Sequence, residues 1–295
     1  MAAGSLITPL EPASPHGPRT IADAPAVAQQ SMHTTALGRI DAAVASSCGS
    51  QHASNEDAHS ALGGPGRLFV VADGVGGGAM AQLASRQLVA HLHETLDAQR
   101  IDADRIRAAM LDADRAIARR IAQVTESPGA ATVALCAPVN VFASKWLVAW
   151  VGDCRVYRLA THGGPRMELL TRDDTFRHLN EAPPSVGSLD DPARMVGNGA
   201  TAGASVAQHE LACGDLLVLC SDGVHKFIGV DDWCRLLTQP VSLARRCEEL
   251  IALARANGSV DDATVLLLRR AGLGAWWPRW IRRFVGSVKP RRARR

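Results

Sequence analysis

An α+β fold is the class this sequence predicts, because its apolar strand-like runs outnumber its helical patterns and come in consecutive groups instead of alternating with them. Two local observations sharpen that. The runs Leu68–Ala72 and Asp215–Cys220 are short, continuously apolar and end in Asp-Gly or Ser-Asp-Gly, the signature of strands buried on both faces. Two long helical patterns, 79–99 and 102–124, stand together between strand groups; in the second, Ile106, Met110, Ile117 and Ile121 recur at three- and four-residue spacing.

In chain order, residues 1–38 read as a disordered arm, with five prolines and no aromatic before residue 37. Arg39–Ser46 reads as the first strand and Leu68–Ala72 as the next. After the helical pair, Pro128-Gly129 punctuates the chain, and strands are expected at 131–138, 145–152 and 154–160. Residues 161–204 are rich in Gly, Pro and polar groups and read as a long surface excursion with one short helix near Thr175–Asn180. Asp215–Cys220 is a strand, Pro240–Asn257 an amphipathic helix closed by Asn257-Gly258, and Thr264–Leu268 the last strand.

At 295 residues, 47% hydrophobic and 21% charged, the chain has ordinary globular composition, which excludes collagen, coiled coil and full-length disorder. Seven cysteines, scattered without a CxxC pair, argue against a disulfide framework or a zinc knuckle and for a reducing, cytoplasmic setting. No secretory leader pattern is present, and the longest uncharged stretches carry Pro, Gly and Asn, which makes them poor membrane spans. The net charge of +3 hides an asymmetry: residues 275–295 hold eight basic residues and no acid, leaving −5 on the rest. That tail also contains Trp276, Trp277 and Trp280.

The chemistry resides in acidic residues at strand ends. Asn55-Glu56-Asp57, Asp73-Gly74, Asp222-Gly223 and Asp261-Asp262 each sit beside an apolar strand, and Gly152-Asp153 follows the apolar run Trp146–Val151. A single Asp-Gly is most simply a turn. Asp73-Gly74, however, opens the glycine run Gly76-Gly77-Gly78 and leads into a helix, so it is not a hairpin turn. Carboxylates gathered in one place repel each other unless protonated or neutralised. The hard-cation solution is Mg²⁺ or Mn²⁺ held by carboxylate, carbonyl and water oxygens.

The segments SNEDAH (54–59), VVADGVGG (70–77), AWVGDCRVYRL (149–159), LLTRDD (169–174), GDLLVLCSDGV (214–224) and GSVDDATVLLL (258–268) run in that order. Together they resemble the metal-dependent PPM-type (type 2C) protein serine/threonine phosphatases, bacterial branch, over about residues 39–270. The resemblance implies a four-layer α-β-β-α sandwich with two central antiparallel sheets, and a centre of two Mn²⁺ or Mg²⁺ ions between them. It implies that Asp73 bridges both metals, that Gly74 offers a carbonyl, and that Asp222 and Asp261 are the remaining ligands. Glu56 and Asp57 match positions that hold metal-bound waters. Asp153 matches the residue that, with Asp222, forms a third, weaker metal site. The flap beside the active site would fall within 161–204, and a metal-bridging hydroxide would attack phosphorus with no side-chain nucleophile. Cys154 and Cys220 read as small packing residues on apolar strands.

Two positions depart from the family pattern. His52 stands where the family usually carries a phosphate-binding Arg, so that role passes to His52, or to Arg39, Arg67 or Arg172 from elsewhere. Gly78 stands where bacterial relatives tend to have His, and Gln82 where a Glu is common. These departures keep a second reading open, a phosphoprotein-binding pseudo-phosphatase with weak or no turnover. The resemblance implies phosphorylated proteins as partners, regulatory logic suggests an opposing Ser/Thr kinase, and the chain itself is expected to be a monomer. The tail, outside the family region, reads as an aromatic, basic tether for an anionic membrane surface at the inner face of the membrane, or for an acidic partner, rather than for nucleic acid.

Overall fold

The computed structural model describes residues 28–63, 67–96, 100–199, 201 and 203–271. Its elements, in chain order, are β1 (Gln29–Thr34), β2 (Arg39–Ser47), β3 (Ala58–His59), β4 (Phe69–Val75), α1 (Ala79–Leu96), α2 (Ala103–Ala122), β5 (Ala130–Pro138), β6 (Lys145–Val151), β7 (Arg155–Ala160), β8 (Arg166–Leu169), α3 (Phe176–Leu179), β9 (Ser205–Glu210), β10 (Leu216–Cys220), α4 (Asp222–His225), α5 (Val230–Leu237), α6 (Leu243–Ala256) and β11 (Ala263–Ala271). The strands form two antiparallel sheets, one of six in the order β1-β2-β11-β10-β7-β8 and one of five in the order β3-β4-β5-β6-β9.

Period-two alternation explains why the strands read as unbroken apolar runs. In β10, Leu217 and Leu219 face the other sheet while Leu216, Val218 and Cys220 face helices. In β4, Phe69 and Val71 lie between the sheets, and Val70 and Ala72 pack under α1 and α2. Both faces are buried, so neither can be polar. Three apolar layers result. One joins α1 and α2 to the five-stranded sheet through Leu88, Leu92, Ile106, Met110 and Ile117. The middle layer, around Trp146 and Phe69, joins the sheets. The third joins Trp233, Leu236, Leu250 and Ile251 of α5 and α6 to the six-stranded sheet. The expected four-layer α-β-β-α sandwich is the architecture observed.

The differences from the sequence reading lie at edges. Gln29–Thr34, inside the segment 1–38 expected to be a disordered arm, pairs residue for residue with Arg39–Val44. This strand was invisible to a hydrophobic pattern because it is polar, with His33 its only buried residue. The excursion 161–204 contains β8, again a largely exposed edge strand, beyond the expected short helix. It is also tied down: Ala131 and Val196 exchange backbone hydrogen bonds of 2.8 and 2.9 Å, and the buried Asp114 of α2 accepts from the Gly197 and Gly199 N–H groups at 2.7 and 3.2 Å. The arm before residue 28 and the tail 275–295 lie outside the described residues.

Candidate metal centre and active site

The two sheets bring their acidic ends together. β4 runs three residues past the expected Leu68–Ala72, so Asp73 and Gly74 are strand residues, opposite Thr132 and Ala131 of β5. β10 ends at Cys220, and its neighbour β11 begins at Ala263, so antiparallel pairing places Asp222 beside Asp261 and Asp262. Asp153 occupies the tight connection from β6 to β7, and Glu56 and Asp57 immediately precede β3. Every predicted acidic site residue therefore converges on one end of the sandwich, although 205 positions separate Glu56 from Asp261.

Glycine is required where these segments cross. A Cβ on Gly223 would lie 1.9 Å from the Asp262 carbonyl oxygen. One on Gly74 would lie 2.5 Å from the Ala81 carbonyl oxygen and 2.9 Å from that of Glu56. Gly223→Ala is expected to cost about 1–3 kcal/mol by overpacking, seen as a melting temperature lowered by several degrees in thermal unfolding.

The carboxylates carry the electrostatic signs of a cation site. Burial pushes Asp73 well above the ordinary carboxylate range, and the charges of Asp222, Asp57, Asp153 and Asp261 push it further. Burial raises Asp57 to about 8 despite hydrogen bonds from Thr264 and Ser221, with Asp262 and Asp222 adding repulsion. Burial and Asp222 raise Asp153 to about 7, against the pull of Lys226. Burial and Asp222 raise Asp261 as well. Asp222 goes the other way: burial opposes its charge, but the Lys226 ammonium, together with His225 and the Asp73 carboxyl, holds it below the usual value. Lys226 Nζ lies 2.7 Å from Asp222 Oδ2 and 3.6 Å from Asp153 Oδ2. Asp57 Oδ1 and Asp222 Oδ1 are buried with no hydrogen-bond partner. Orphaned carboxylate oxygens among mutually repelling acids are the donor set a hard divalent cation requires, so the residues present fit Mn²⁺ or Mg²⁺.

Asp262, grouped with Asp261 in the sequence but given no role there, turns out to organise the site. Its Oδ1 accepts from Gly49 N–H at 2.7 Å, and its Oδ2 accepts from Glu56 N–H at 2.7 Å and lies 2.9 Å from His52 Nδ1. It thereby ties three segments together and aims His52, which lies 3.7 Å from Asp261. His52, Asp261 and Asp262 form a group of potential metal-ligating atoms within 4.8 Å of one another at the rim of the cluster. Burial lowers the proton affinity of His52, but the hydrogen bond to Asp262 and the charges of Asp262, Glu56 and Asp261 prevail and raise its pKa. Asp262→Ala would leave the buried Gly49 and Glu56 N–H groups without acceptors, at about 1–3 kcal/mol each. We expect a lower melting temperature together with a 10–100-fold loss of activity, roughly that of removing a group that orients ligands.

Of the other candidate phosphate-binding arginines, Arg39 and Arg67 are not gathered here. Arg39 is hydrogen-bonded to Asp41 at 2.8 Å and pairs in register with Ala271, at the far end of β11 from Asp261. Arg67 precedes β4, at the end opposite Asp73. Arg172 donates to the His178 carbonyl at 2.9 Å. Glu56 Oε1 accepts from Gly78 N–H at 2.5 Å, so Gly78 contributes backbone where a side chain was missed. Cys154 and Cys220 are buried, and burial pushes both thiols up, as expected of packing residues. Ser221 Oγ donates to Asp57 at 2.7 Å and accepts from Thr264 N–H at 3.0 Å, so Ser221, like Cys154 and Cys220, is committed to structure. Lys226 and Arg255 were not signalled by the acidic motifs. Arg255 donates to the Asp261 carbonyl and, at 3.1 Å each, to the Ser47 and Cys48 carbonyls, bracing the loop that carries Asp261.

Comparison with known proteins agrees with this geometry. Residues 64–271 match the family model for Stage II sporulation protein E (SpoIIE). A type 2C protein phosphatase of Streptococcus pyogenes serotype M6 is 26% identical over 216 residues, 68% of this chain and 85% of that protein. The Mycobacterium tuberculosis serine/threonine protein phosphatase PstP is 31% identical over 214 residues, and the matched region spans 40% of its length. A crystal structure of PstP/Ppp superposes with a TM-score of 0.68 at 26% identity, covering 80% of this chain and all of that one. The PstP catalytic domain in complex with two manganese ions superposes with a TM-score of 0.66 at 24% identity, covering 79% of this chain and 98% of that one. With the sandwich, the motif order and the family match in agreement, the chain belongs to the bacterial PPM-type (type 2C-like, SpoIIE) serine/threonine phosphatase family.

Proposed function

We propose that this chain hydrolyses phosphoserine and phosphothreonine on proteins directly, at a centre of two Mn²⁺ or Mg²⁺ ions held by Asp73, the Gly74 carbonyl, Asp222 and Asp261. The observation that carries the reading is the cluster of buried carboxylates with orphaned oxygens at the meeting point of the two sheets. Bound there, such ions supply a lowered pKa for coordinated water and neutralise phosphoryl charge, which is the chemistry direct hydrolysis needs. The protein's own residues do the rest. Glu56 and Asp57 belong to the same cluster and would hold metal-bound water, a reading supported by Asp57, which has one oxygen on Ser221 and the other unpartnered. His52, turned by Asp262 and favoured in its charged form, supplies a cationic N–H donor to the substrate phosphate at the rim. With the neighbouring serine and thiols committed to structure, no covalent phosphoenzyme is invoked.

Phosphorylated proteins, and through them an opposing Ser/Thr kinase, are the partners this reading entails. Among the described residues, no helix is long and apolar enough to cross a membrane. The proposed cytoplasmic setting rests on the scattered, unpaired cysteines, and peripheral attachment through 275–295 on the composition of that tail. The test is release of inorganic phosphate from phosphoserine and phosphothreonine peptides by the full chain with Mn²⁺. We expect catalytic turnover of both. Saturable peptide binding without phosphate release would instead establish the pseudo-phosphatase reading that His52 and Gly78 keep open.

A further inference from the structure

Asp153 and Asp222 are the pair that the family resemblance assigns to a third cation, yet in this chain a side chain already stands between them. Lys226 follows Asp222 by four residues, and α4 sets that spacing: Lys226 N–H donates to the Asp222 carbonyl at 3.1 Å, closing one helical turn. The turn brings Nζ to 2.7 Å from Asp222 Oδ2 and 3.6 Å from Asp153 Oδ2. The lysine stem is half-exposed, while the two carboxylates it meets are 18% and 4% exposed, so the ammonium reaches inward over a buried acidic pair. Among the described residues, Lys226 is the basic side chain hydrogen-bonded to Asp222 and ion-paired with both. The nearby His225 is engaged elsewhere, its Nε2 lying 3.0 Å from the Asp153 carbonyl oxygen.

We propose that the Lys226 ammonium is the resident cation between Asp153 and Asp222, so that this chain binds two divalent ions and not a third. The inference rests on the metal centre proposed above. An ammonium has three donors and no lone pair, so it cannot share the position with a metal: a divalent ion bridging Asp153 and Asp222 must displace it and meet its repulsion. The tethered charge pays no binding entropy and is present at any metal concentration. It also divides the work of Asp222. Oδ2 is taken by Lys226, and Oδ1, buried and unpartnered, remains for the two-ion centre beside Asp73.

The experiment counts Mn²⁺ bound per full-length chain, by isothermal titration and equilibrium dialysis, in the wild type, Lys226→Met, Lys226→Arg and Lys226→Met/Asp153→Asn. The expected counts are two in the wild type, three in Lys226→Met, and two again in both Lys226→Arg and the double variant. Lys226→Gln, also expected at three, provides the same reading should the methionine variant fail to fold. Three ions in the wild type, or two in both Lys226→Met and Lys226→Gln, overturns this inference alone. No Mn²⁺ uptake by the wild type overturns the metal centre and this inference together.

Discussion

Asp73→Asn is expected to abolish phosphatase turnover and, at the same time, to raise the melting temperature of the metal-free protein. These opposite effects have one cause. Asp73 is buried, and four neighbouring carboxylates face it. Without metal, folding must bear either its buried charge or the proton uptake that its raised pKa favours. The amide is nearly isosteric, carries no charge and retains a donor toward Asp222, whose interaction with the Asp73 carboxyl already favours the charged form of Asp222. Relief of a buried charge of this kind is worth about 1–3 kcal/mol, or several degrees in a chain of this size. With Mn²⁺ the same substitution removes the proposed bridging ligand, and a loss on the order of 10³-fold or more in turnover is expected from the missing electrostatic stabilisation. Thermal unfolding in chelator, paired with an aryl phosphate assay in Mn²⁺, reads both. An unchanged rate, or a metal-free variant less stable than the wild type, would count against the placement of Asp73 at the centre of the cluster.

The second large effect is a pH dependence whose sign metal reverses. In the unfolded chain, Asp57 and Asp153 titrate near 3.8; in the fold, burial and neighbouring charge raise them to about 8 and about 7. The folded state therefore holds protons that the unfolded state has lost. The stability these groups contribute is complete below pH ~4 and is lost as pH rises through ~7–8. His225 acts oppositely at lower pH. Burial, then the charge of Arg155, lowers it to about 4 from 6.5, so its contribution grows between those values. The window from pH ~6.5 to ~8 thus excludes His225 and leaves the carboxylates together with His52, whose raised pKa gives a loss of the same sign as pH rises. In chelator, stability should fall across it by on the order of 1–2 kcal/mol, since each tenfold difference in proton affinity is worth about 1.4 kcal/mol. In saturating Mn²⁺ the slope should flatten or turn upward, because metal displaces those same protons. Parallel slopes with and without metal would dissociate these carboxylates from the cation site.

The fold was legible where burial is two-sided and obscure where it is not. Leu216–Cys220 and Phe69–Ala72 are buried on both faces, so their sequences have no room for polar residues and announce themselves as strands. Gln29–Thr34 and Arg166–Leu169 are edge strands whose side chains mostly meet solvent; their pairing is a backbone matter that hydropathy does not record. The site divides similarly. Asp73, Asp153, Asp222 and Asp261 stood out as acidic residues next to a glycine or a strand end in their own segments, and the family resemblance supplied the roles expected of them. The role of Asp262 could not, since its hydrogen-bond partners, Gly49, His52 and Glu56, come from the other end of the chain and meet it only through pairing of β11 with β2. Lys226 lies between. Its i+4 spacing from Asp222 is a local signal, but a four-residue helix is too short to show a period.

The central claim is that the buried carboxylates hold divalent ions that make phosphomonoester hydrolysis direct. Steady-state hydrolysis of an aryl phosphate by the purified full chain, titrated with Mn²⁺ after exhaustive chelation, tests it most directly. The account predicts negligible turnover in chelator, saturable recovery with Mn²⁺, and no recovery in Asp222→Asn at the same metal concentrations. Turnover that persists in chelator, or that Asp222→Asn leaves intact, would contradict it.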